Sequence, residues 1–249
     1  MKTNQRVALV TGGTGGIGTA ICRRLVQKGC RVVACYPPSD KTTADAWKAA
    51  RESEGIEIEL AAGDVASPMS CIAMIEEVEA KIGPIDILVN CAGITRDKSF
   101  KRMELDHWET VINTNLNSVY YVTRPVWEGM LERGFGRIIN ISSVNGQRGQ
   151  FGQVNYSAAK AGMHGFTMAL ALEGASKGVT VNTVSPGYIE TPMTLAMQEE
   201  VRDSIISGIP MRRMGTPDEV ARAVAFLADD ETTYITGANL PVNGGLFIK

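Results

Sequence analysis

Three side chains near the middle of the sequence, Ser143, Tyr156 and Lys160, could together move a proton. The apolar, β-branched run at residues 138–141 predicts a buried strand that places Ser142 and Ser143 at its C-terminal end. Tyr156 and Lys160 are four residues apart, so on the following helix they would lie on one face, toward those hydroxyls. An ammonium beside a phenol favours the phenolate, so we expect Lys160 to lower the pKa of Tyr156. Such a tyrosine can exchange a proton with an oxygen that Ser143 hydrogen-bonds.

A glycine-rich turn near the N-terminus indicates phosphate binding. Residues 7–10 predict a short buried strand, and residues 11–18 read Thr-Gly-Gly-Thr-Gly-Gly-Ile-Gly at the start of a helical pattern. Glycines let the backbone approach a pyrophosphate, whose charge then lies against the helix N-terminus. The spacing of Gly12, Gly16 and Gly18 differs from the Gly-x-Gly-x-x-Gly fingerprint, but their place between strand and helix favours a dinucleotide site. This turn argues against the alternative that Tyr156 and Lys160 are ordinary helix-surface residues.

The second predicted strand, residues 31–35, leaves the choice of dinucleotide open. An acidic residue at its end would bind the ribose hydroxyls of NAD, but Cys35 and Tyr36 stand there. No arginine follows to bind a 2'-phosphate, and the nearest cation, Lys41, is next to Asp40. We therefore predict that NADH is accepted to a substantial degree, with an NADPH over NADH specificity ratio below about a thousand.

Two later turns are further candidates for cofactor contacts. Asp64 and Val65 follow a predicted strand at residues 56–60, and the carboxylate could accept from an adenine amino group or cap the next helix. Asn90-Cys-Ala-Gly93 follows the strand at residues 85–89, and its small residues allow close approach, which suits a cofactor ribose.

Asn115 interrupts a long predicted helix at residues 105–133. An asparagine is unfavourable in mid-helix, so the position calls for a reason. One alternative is a local kink whose freed polar groups hold a water molecule, and the other is a core amide with satisfied hydrogen bonds.

The last third of the chain predicts a closing segment and an edge strand. A strand at residues 179–184 leads into a Pro-rich loop, and the amphipathic residues 194–208 are either a lid, within a region of about 188–212, or a helix that caps the core. Thr216 with Pro217 begins the last helix. Pro241 cannot donate to a ladder, so residues 238–242 should form an edge strand that suits a subunit contact.

Composition excludes several classes of function. With 25 basic and 27 acidic residues and no block of like charge, the chain offers no general polyanion-binding face, so we expect no nucleic acid partner. Five scattered cysteines without a Cys-x-x-Cys pair favour a reduced, cytoplasmic setting. The two histidines, His107 and His164, lack ligand spacing, so we expect no metal. We see no signal peptide or membrane span, and the length suits one α/β domain over residues 1–249.

Together these motifs resemble the short-chain dehydrogenase/reductase family. The matching elements, in order, are Thr11-Gly-x-x-x-Gly-x-Gly18, Asn90-Cys-Ala-Gly93, Asn115, Ser143, Tyr156-x-x-x-Lys160, Pro186-Gly187 and Asn243-Gly-Gly245. The resemblance spans the chain and implies a doubly wound parallel sheet of about seven strands with helices on both faces, usually in a homotetramer. Two positions depart from the pattern: Cys91 replaces a usual asparagine, and Gly15 lacks the Arg or Lys of many NADP-using relatives.

The resemblance also assigns roles. It makes Tyr156 the general acid, Ser143 the donor that polarises a carbonyl, Lys160 the group that tunes Tyr156 and binds the nicotinamide ribose, and Asn115 the holder of a water. The residues expected to contact NAD(H) or NADP(H) are Gly12, Thr14, Gly16, Ile17, Gly18, Tyr36, Lys41, Asp64, Val65, Asn90, Ala92, Gly93, Tyr156, Lys160, Pro186, Gly187 and Ile189. Those expected to form the substrate pocket are Asp97, Ser143, Gln150, Phe151, Gln153, Tyr156 and Tyr188, although some could be a loop wall that only excludes water.

Within the family, residues 93–97, 143–147, 149–153 and 185–188 resemble reductases of 3-oxoacyl thioesters. That likeness implies reduction of acetoacetyl-CoA to an R-3-hydroxyacyl product, as in polyhydroxybutyrate synthesis, or alternatively of 3-oxoacyl carrier-protein substrates. The carrier-protein enzymes have an arginine just before Glu173, where this chain has Leu172. Loss of that charge favours the CoA thioester. A cofactor-binding sensor without turnover is the alternative from another class.

Overall fold

Strands and helices alternate along the chain in the computed structural model, which describes residues 5–248 apart from the side chain of Met193. The strands are β1 (Val7–Thr11), β2 (Arg31–Tyr36), β3 (Glu59–Ala62), β4 (Ile85–Asn90), β5 (Gly136–Ile141), β6 (Val179–Pro186) and β7 (Asn239–Val242). The helices are α1 (Gly16–Gln27), α2 (Lys41–Ser53), α3 (Pro68–Lys81), α4 (Leu105–Ile112), α5 (Ser118–Arg133), α6 (Asn145–Arg148), α7 (Val154–Gly174), α8 (Pro192–Leu195), α9 (Glu199–Gly208) and α10 (Pro217–Leu227).

All seven strands form one parallel sheet in the order β3-β2-β1-β4-β5-β6-β7. The predicted doubly wound fold is therefore confirmed. The order reverses between β1 and β4, and at such a switch point the loops after the two strands diverge and leave a crevice at the carboxyl edge. Within residues 5–248, no helix is both long and apolar enough to cross a membrane.

Both faces of the sheet are covered, which explains why the strands are continuous apolar runs. Every residue of β1, β4, β5 and β6 is buried. On one face, Ile21 and Leu25 of α1 pack with Val220 and Val224 of α10. On the other face, side chains of α3, α5 and α7 form the second core cluster.

The long helix predicted across Asn115 is present but contains a π-helical turn at Asn113–Asn117 between α4 and α5. A π turn of this kind is a frequent marker of functional positions. Its register shift turns Asn115, which is fully buried, inward toward the loop after β4.

Several predicted boundaries move by a few residues. The third strand begins at Glu59 rather than residue 56, and α7 ends at Gly174, followed by a 3₁₀ turn before Gly178. Gly178 has the left-handed conformation of a helix C-cap, with φ of 71°. The Thr216 capping box with Glu219 confirms the predicted start of α10.

The last strand, β7, is an edge strand as predicted, because only β6 pairs with it in the described chain. Pro241 pairs in register with Ser185. The strand leads into Asn243, which packs against Gly187 in the loop after β6, and into Gly244 and Gly245, which lie against residues 209–211 after α9.

Candidate active site

A cleft of about 590 Å³ lies at the carboxyl edge of the sheet, at the switch point between β1 and β4. Its walls come from the glycine-rich turn, from residues 91–95 after β4, from residues 141–145 after β5, from Tyr156 and Lys160, and from residues 186–197 after β6. A cleft of this size and position suits a nucleotide and a small substrate.

The glycine-rich turn has the geometry of a phosphate-binding loop. Gly12 has a φ of +62°, and a Cβ on Gly18 would lie 2.1 Å from the Gly12 carbonyl oxygen. Only glycine fits at these two positions, so the backbone can turn tightly onto the N-terminus of α1. No acidic residue stands in the first turn of α1 to compete for an anion. This turn therefore fits the pyrophosphate of a dinucleotide.

The three proposed proton-handling residues converge on the cleft. Ser143 follows β5, while Tyr156 and Lys160 lie one turn apart on α7, and all three line the cleft. Lys160 Nζ lies 5.7 Å from the centroid of the Tyr156 ring and donates a 2.7 Å hydrogen bond to the Ile141 carbonyl. The helical spacing thus correctly predicted their shared face.

The expected lowering of the Tyr156 pKa by Lys160 is not found. Burial raises the pKa of Tyr156, and its contact with Ser143 acts in the opposite direction. The same burial lowers the pKa of Lys160 to about 8, because desolvation disfavours the ammonium. The charge of Lys160 can be read from the sequence, whereas the burial that removes both groups from water cannot. Tyr156 is consequently held in its protonated form, as a proton donor.

Ser142, next to Ser143, ties β5 to α7. Its hydroxyl donates to the Lys160 carbonyl at 2.8 Å and lies 2.9 Å from His164 Nε2. His164 is in turn 3.4 Å from the Ser185 hydroxyl at the end of β6. These contacts hold the ends of two strands against the helix that carries Tyr156.

The side chain of Asn115 is a satisfied core amide. Its Oδ1 accepts from Ile94 N–H and its Nδ2 donates to the Ile94 carbonyl, both at 2.8 Å. A Cβ on Gly93 would lie 3.4 Å from both Asn115 Oδ1 and Lys160 Nζ. The amide thus fixes the loop after β4 beside Lys160, as the second alternative for this residue expects, while the π-helical turn around it is the kink that the first alternative expects.

Asn90 does not line the cleft, contrary to its expected cofactor contact. Its amide donates to Asn140 Oδ1 and to Thr123 Oγ1, inside the layer between the sheet and α5. At the end of a strand, alternate side chains point to opposite faces, and Asn90 faces away from the dinucleotide side. Ala92 and Gly93 do line the cleft, and Thr11 Oγ1 accepts from the Ala92 N–H at 3.1 Å.

Tyr36, Lys41, Asp64 and Val65 lie outside the walls of the cleft itself. They stand at or after the carboxyl ends of β2 and β3, on the same edge of the sheet. Lys41 is paired with Asp45 one turn further along α2, at 2.7 Å. That pairing raises the pKa of Lys41.

Asp64 does not cap α3. Its Oδ1 accepts from the Ala66 N–H within the turn, and Ser67 is the N-cap residue. Val65 packs against the apolar core. Of the two roles considered for Asp64, the cap is therefore wrong.

The loop after β6 supplies the remaining walls. Pro186, Gly187, Tyr188 and Ile189 all line the cleft. Gly187 is wedged against Asn243, since a Cβ there would lie 2.9 Å from Asn243 Cα. The Asn-Gly-Gly sequence near the C-terminus thus supports this loop from outside the cleft.

The expected substrate residues divide into three groups. Ser143, Gln153, Tyr156 and Tyr188 line the cleft. Gln150 and Phe151 do not, because the turn that ends at Gly152 carries them outward, and Phe151 is 89% exposed. Asp97 lies at the rim, where it accepts a 2.8 Å hydrogen bond from Gln153 Nε2.

Sequence reasoning missed several residues of the cleft wall, and three of them bear most directly on the site. Thr191 lies beside the glycine-rich turn, because its Cγ2 would be 3.1 Å from a Cβ on Gly16. Thr14 was the threonine expected at this turn. Cys91 lines the cleft beside Lys160, and burial raises its pKa to about 11. Asn145 is 8% exposed and donates its backbone N–H to Ser143 Oγ at 3.1 Å. Two of these positions had a signal in the sequence: Cys91 lies in the turn at residues 90–93, and Asn145 follows Ser143 by two residues.

The fold and the cleft define an oxidoreductase built to bind a nicotinamide dinucleotide. The chain belongs to the short-chain dehydrogenase/reductase family. A family model described as enoyl-(acyl carrier protein) reductase matches residues 12–247.

Relatives of known activity align over nearly the whole chain. The chain is 71% identical over 243 residues to an acetoacetyl-CoA reductase of Allochromatium vinosum, covering 98% of this chain and 99% of the relative. It is 52% identical to the acetoacetyl-CoA reductase of Cupriavidus necator, covering 97% and 98% of the two chains. A 3-oxoacyl-[acyl-carrier-protein] reductase of Vibrio harveyi is 44% identical over the full length of both.

Proposed function

We propose that this chain reduces acetoacetyl-CoA to (R)-3-hydroxybutyryl-CoA with a nicotinamide cofactor. The observation that carries the proposal is the convergence of Ser143, Tyr156 and Lys160 on a cleft whose glycine turn fits a pyrophosphate. The name shared by relatives 71% and 52% identical over almost the whole chain supports this substrate.

The cofactor supplies a hydride when bound, and the protein supplies the proton. Ser143 would donate a hydrogen bond to the keto oxygen, which polarises the carbonyl. Tyr156 would protonate that oxygen as negative charge develops on it, so no alkoxide is left unneutralised. Lys160 is mostly protonated at neutral pH with its pKa of about 8, and its positive charge would stabilise the phenolate that Tyr156 becomes once it has given up its proton.

The CoA form of the substrate is supported by cations in the two segments that continue from the cleft walls after residues 95 and 145. Arg96, Lys98, Lys101, Arg102 and Arg148 are exposed, and none has a carboxylate within 4.0 Å among the described residues. Four of them belong to the segment after β4. This segment contacts the turn before α7, since the Lys98 N–H donates to the Gly152 carbonyl at 2.9 Å. Cations of this kind suit the phosphates of CoA.

The second candidate is a 3-oxoacyl carrier-protein reductase, and the 44% identical relative favours it. Leu172 is 83% exposed on α7, so the position where related carrier-protein enzymes have an arginine is accessible but uncharged. An acidic carrier protein would lose a steering contact there. This absence of charge supports the CoA thioester.

Initial rates with three acetoacetyl thioesters test the choice. Acetoacetyl-CoA should have a higher kcat/KM than the carrier-protein thioester or the N-acetylcysteamine thioester. Added salt should lower the kcat/KM of acetoacetyl-CoA relative to that of the N-acetylcysteamine thioester, and should not lower it relative to that of the carrier-protein thioester. Leu172→Arg should raise kcat/KM for the carrier-protein thioester alone. A parent enzyme that prefers the carrier protein would establish the second candidate.

The remaining expectations are part of the same proposal. We place the enzyme in the cytoplasm, in polyhydroxybutyrate synthesis, as a single domain that forms a homotetramer. Two exposed apolar areas suit subunit contacts: Tyr120 and Met168 on α5 and α7, and Phe226 and Tyr234 beside the edge strand. Monomeric proteins rarely expose such residues in groups.

A further inference from the structure

Residues 191–212, which we call the lid segment, cover one side of the cleft without packing into the core. Thr191, Thr194 and Met197 line the cleft, whereas none of the ten residues of α9 is buried. A segment with so few buried contacts opens more easily than the core. This construction suits the lid considered for the segment, and not the helix that caps the core.

Backbone hydrogen bonds join the two ends of the lid segment to each other. The Gly215 N–H donates to the Tyr188 carbonyl at 2.9 Å, and the Glu190 N–H donates to the Gly215 carbonyl at 2.8 Å. Just past the second end, the guanidinium of Arg213 makes a bidentate contact with Glu219 of α10, at 2.8 and 2.6 Å. The chain is therefore fixed to α10 from Arg213 onward, so a movement of the lid segment must end just before this residue.

The end of β7 and the Asn-Gly-Gly turn that follows it contact both ends of the lid segment. The Gly187 N–H, before the segment, donates to the Val242 carbonyl at 2.9 Å. The Met211 N–H, at its other end, donates to the Gly244 carbonyl at 3.1 Å. The two accepting carbonyls are two residues apart, although nearly the whole lid segment separates the two donors. One short turn thus anchors both ends.

The residues of this turn suit such an anchor. Asn243 Oδ1 accepts from the Gly245 N–H at 3.0 Å, and Asn243 Nδ2 donates to the Phe247 carbonyl at 2.9 Å, so both ends of the amide hold the turn in shape. Gly244 has a φ of +62°, and a Cβ there would lie 2.9 Å from Ile209 Cγ2. A side chain at Gly244 would be strained and would push against the residue that follows α9.

The backbone at Arg212 marks where the lid segment can pivot. Among the described residues it is the only one other than glycine with a positive φ, 56°. This conformation is unfavourable for a residue with a Cβ and persists only where surrounding contacts impose it. A cavity of about 310 Å³, lined in part by Met211, Arg213 and Gly244, lies beside it. The pivot therefore has room to move, which a close-packed interior would not give.

We propose that the Asn243-Gly244-Gly245 turn is the anchor of the lid segment, which pivots at Arg212 to admit the substrate and release the product. Asn243 and Gly244 are positioning residues, since they act through the ends of the lid segment. The effect on turnover rests on the proposed reduction of acetoacetyl-CoA, whereas the movement itself does not.

Limited proteolysis with trypsin measures the opening of the lid segment without turnover. Gly244→Ala displaces the second end of the segment, so cleavage after Arg202 in α9, followed by mass spectrometry, should become about fivefold faster than in the parent. Gly55→Ala is the matched control, because Gly55 has a φ of +74° but nothing within 4 Å of its Cβ. Its cleavage rate should change less than about twofold. Equal rates in the parent and Gly244→Ala, or in the two variants, would overturn the proposal.

Steady-state kinetics test the role of the anchor in the reaction. Gly244→Ala should raise KM for acetoacetyl-CoA about fivefold without lowering kcat, because a lid that opens more often retains the substrate less well and does not delay product release. Asn243→Ala should raise KM as well, and Asn243→Asp, which keeps the acceptor for the Gly245 N–H, should lie between it and the parent. A fall in kcat at unchanged KM would contradict the proposal.

The two experiments separate this inference from the proposed function. A parent that reduces no 3-oxoacyl thioester would overturn the proposed function and leave the proteolysis result standing. A turning-over parent whose lid segment is cleaved no faster in Gly244→Ala and in Asn243→Ala would overturn this inference alone.

Discussion

The ammonium of Lys160 donates a 2.7 Å hydrogen bond to the carbonyl oxygen of Ile141, the last residue of β5. This contact fixes a cation that is only 3% exposed at the end of a central strand. The position is unfavourable for stability, since burial lowers the pKa of Lys160 from 10.5 to about 8. It is favourable for function, since it keeps positive charge beside Tyr156.

Lys160→Met should therefore stabilise the protein while it abolishes turnover. A pKa change from 10.5 to about 8 corresponds to about 3 kcal/mol, and the lost hydrogen bond offsets about 1 kcal/mol of it, so we expect a net gain of about 2 kcal/mol at pH 7. The folded state binds fewer protons than the unfolded state between pH 8 and 10.5, so stability of the parent rises across that window. The stability that Lys160→Met gains over the parent should therefore become smaller between pH 8 and 10.5.

Urea unfolding at pH 7 and pH 10 measures this difference. Lys177→Met, at an exposed lysine, is the control and should change the free energy of unfolding by less than about 0.5 kcal/mol. A Lys160→Met variant less stable than the parent at pH 7 would show that the ammonium is better compensated than its burial suggests.

Gly18→Ala should weaken cofactor binding. Its Cβ would lie 2.1 Å from the Gly12 carbonyl oxygen, which forces the phosphate-binding turn to shift. Overpacking of this kind costs about 1–3 kcal/mol, so we expect the Kd of the reduced cofactor to rise about 10- to 100-fold in a fluorescence titration.

Gly15→Ala is the matched comparison for this turn. Its Cβ would lie 3.3 Å from the same oxygen, a contact that needs a shift of only a few tenths of an ångström. Its Kd should change by less than about fivefold. The interpretation would be wrong if Gly15→Ala were the more damaging of the two.

Cofactor selectivity should respond to the pair of Lys41 and Asp45. Asp45→Ala frees the Lys41 ammonium, and we expect the NADPH over NADH ratio of kcat/KM to rise about two- to fivefold, because exposed charge pairs are weak. Lys41→Ala should lower the same ratio. Lys48→Ala, which removes a cation further along α2, should leave it unchanged. An unaltered ratio in Asp45→Ala would mean that Lys41 does not reach the 2'-phosphate.

The sequence predicted most of what depends on local pattern. Apolar runs located the strands, and the four-residue spacing correctly put Tyr156 and Lys160 on one face of α7. Turn chemistry located the caps at Thr216 and Gly178, although helix and strand ends moved by three or four residues.

Features that depend on distant segments could not be predicted. Asp97 and Gln153 are 56 positions apart and Asn90 and Asn140 are 50 apart, and no local spacing pairs them. The direction of the Tyr156 pKa depends on how deeply the ring is buried, which the sequence does not state. A motif identifies the groups that can react, while packing decides their protonation.

The central claim is that Tyr156 supplies the proton for keto reduction. The most direct measurement is the initial rate of acetoacetyl-CoA reduction by the parent and by Tyr156→Phe, with NADH and with NADPH in separate assays. We expect clear turnover in the parent and a loss of at least about a hundredfold in Tyr156→Phe, with cofactor binding retained because the ring remains. A Tyr156→Phe variant that reduced acetoacetyl-CoA as fast as the parent would contradict the account.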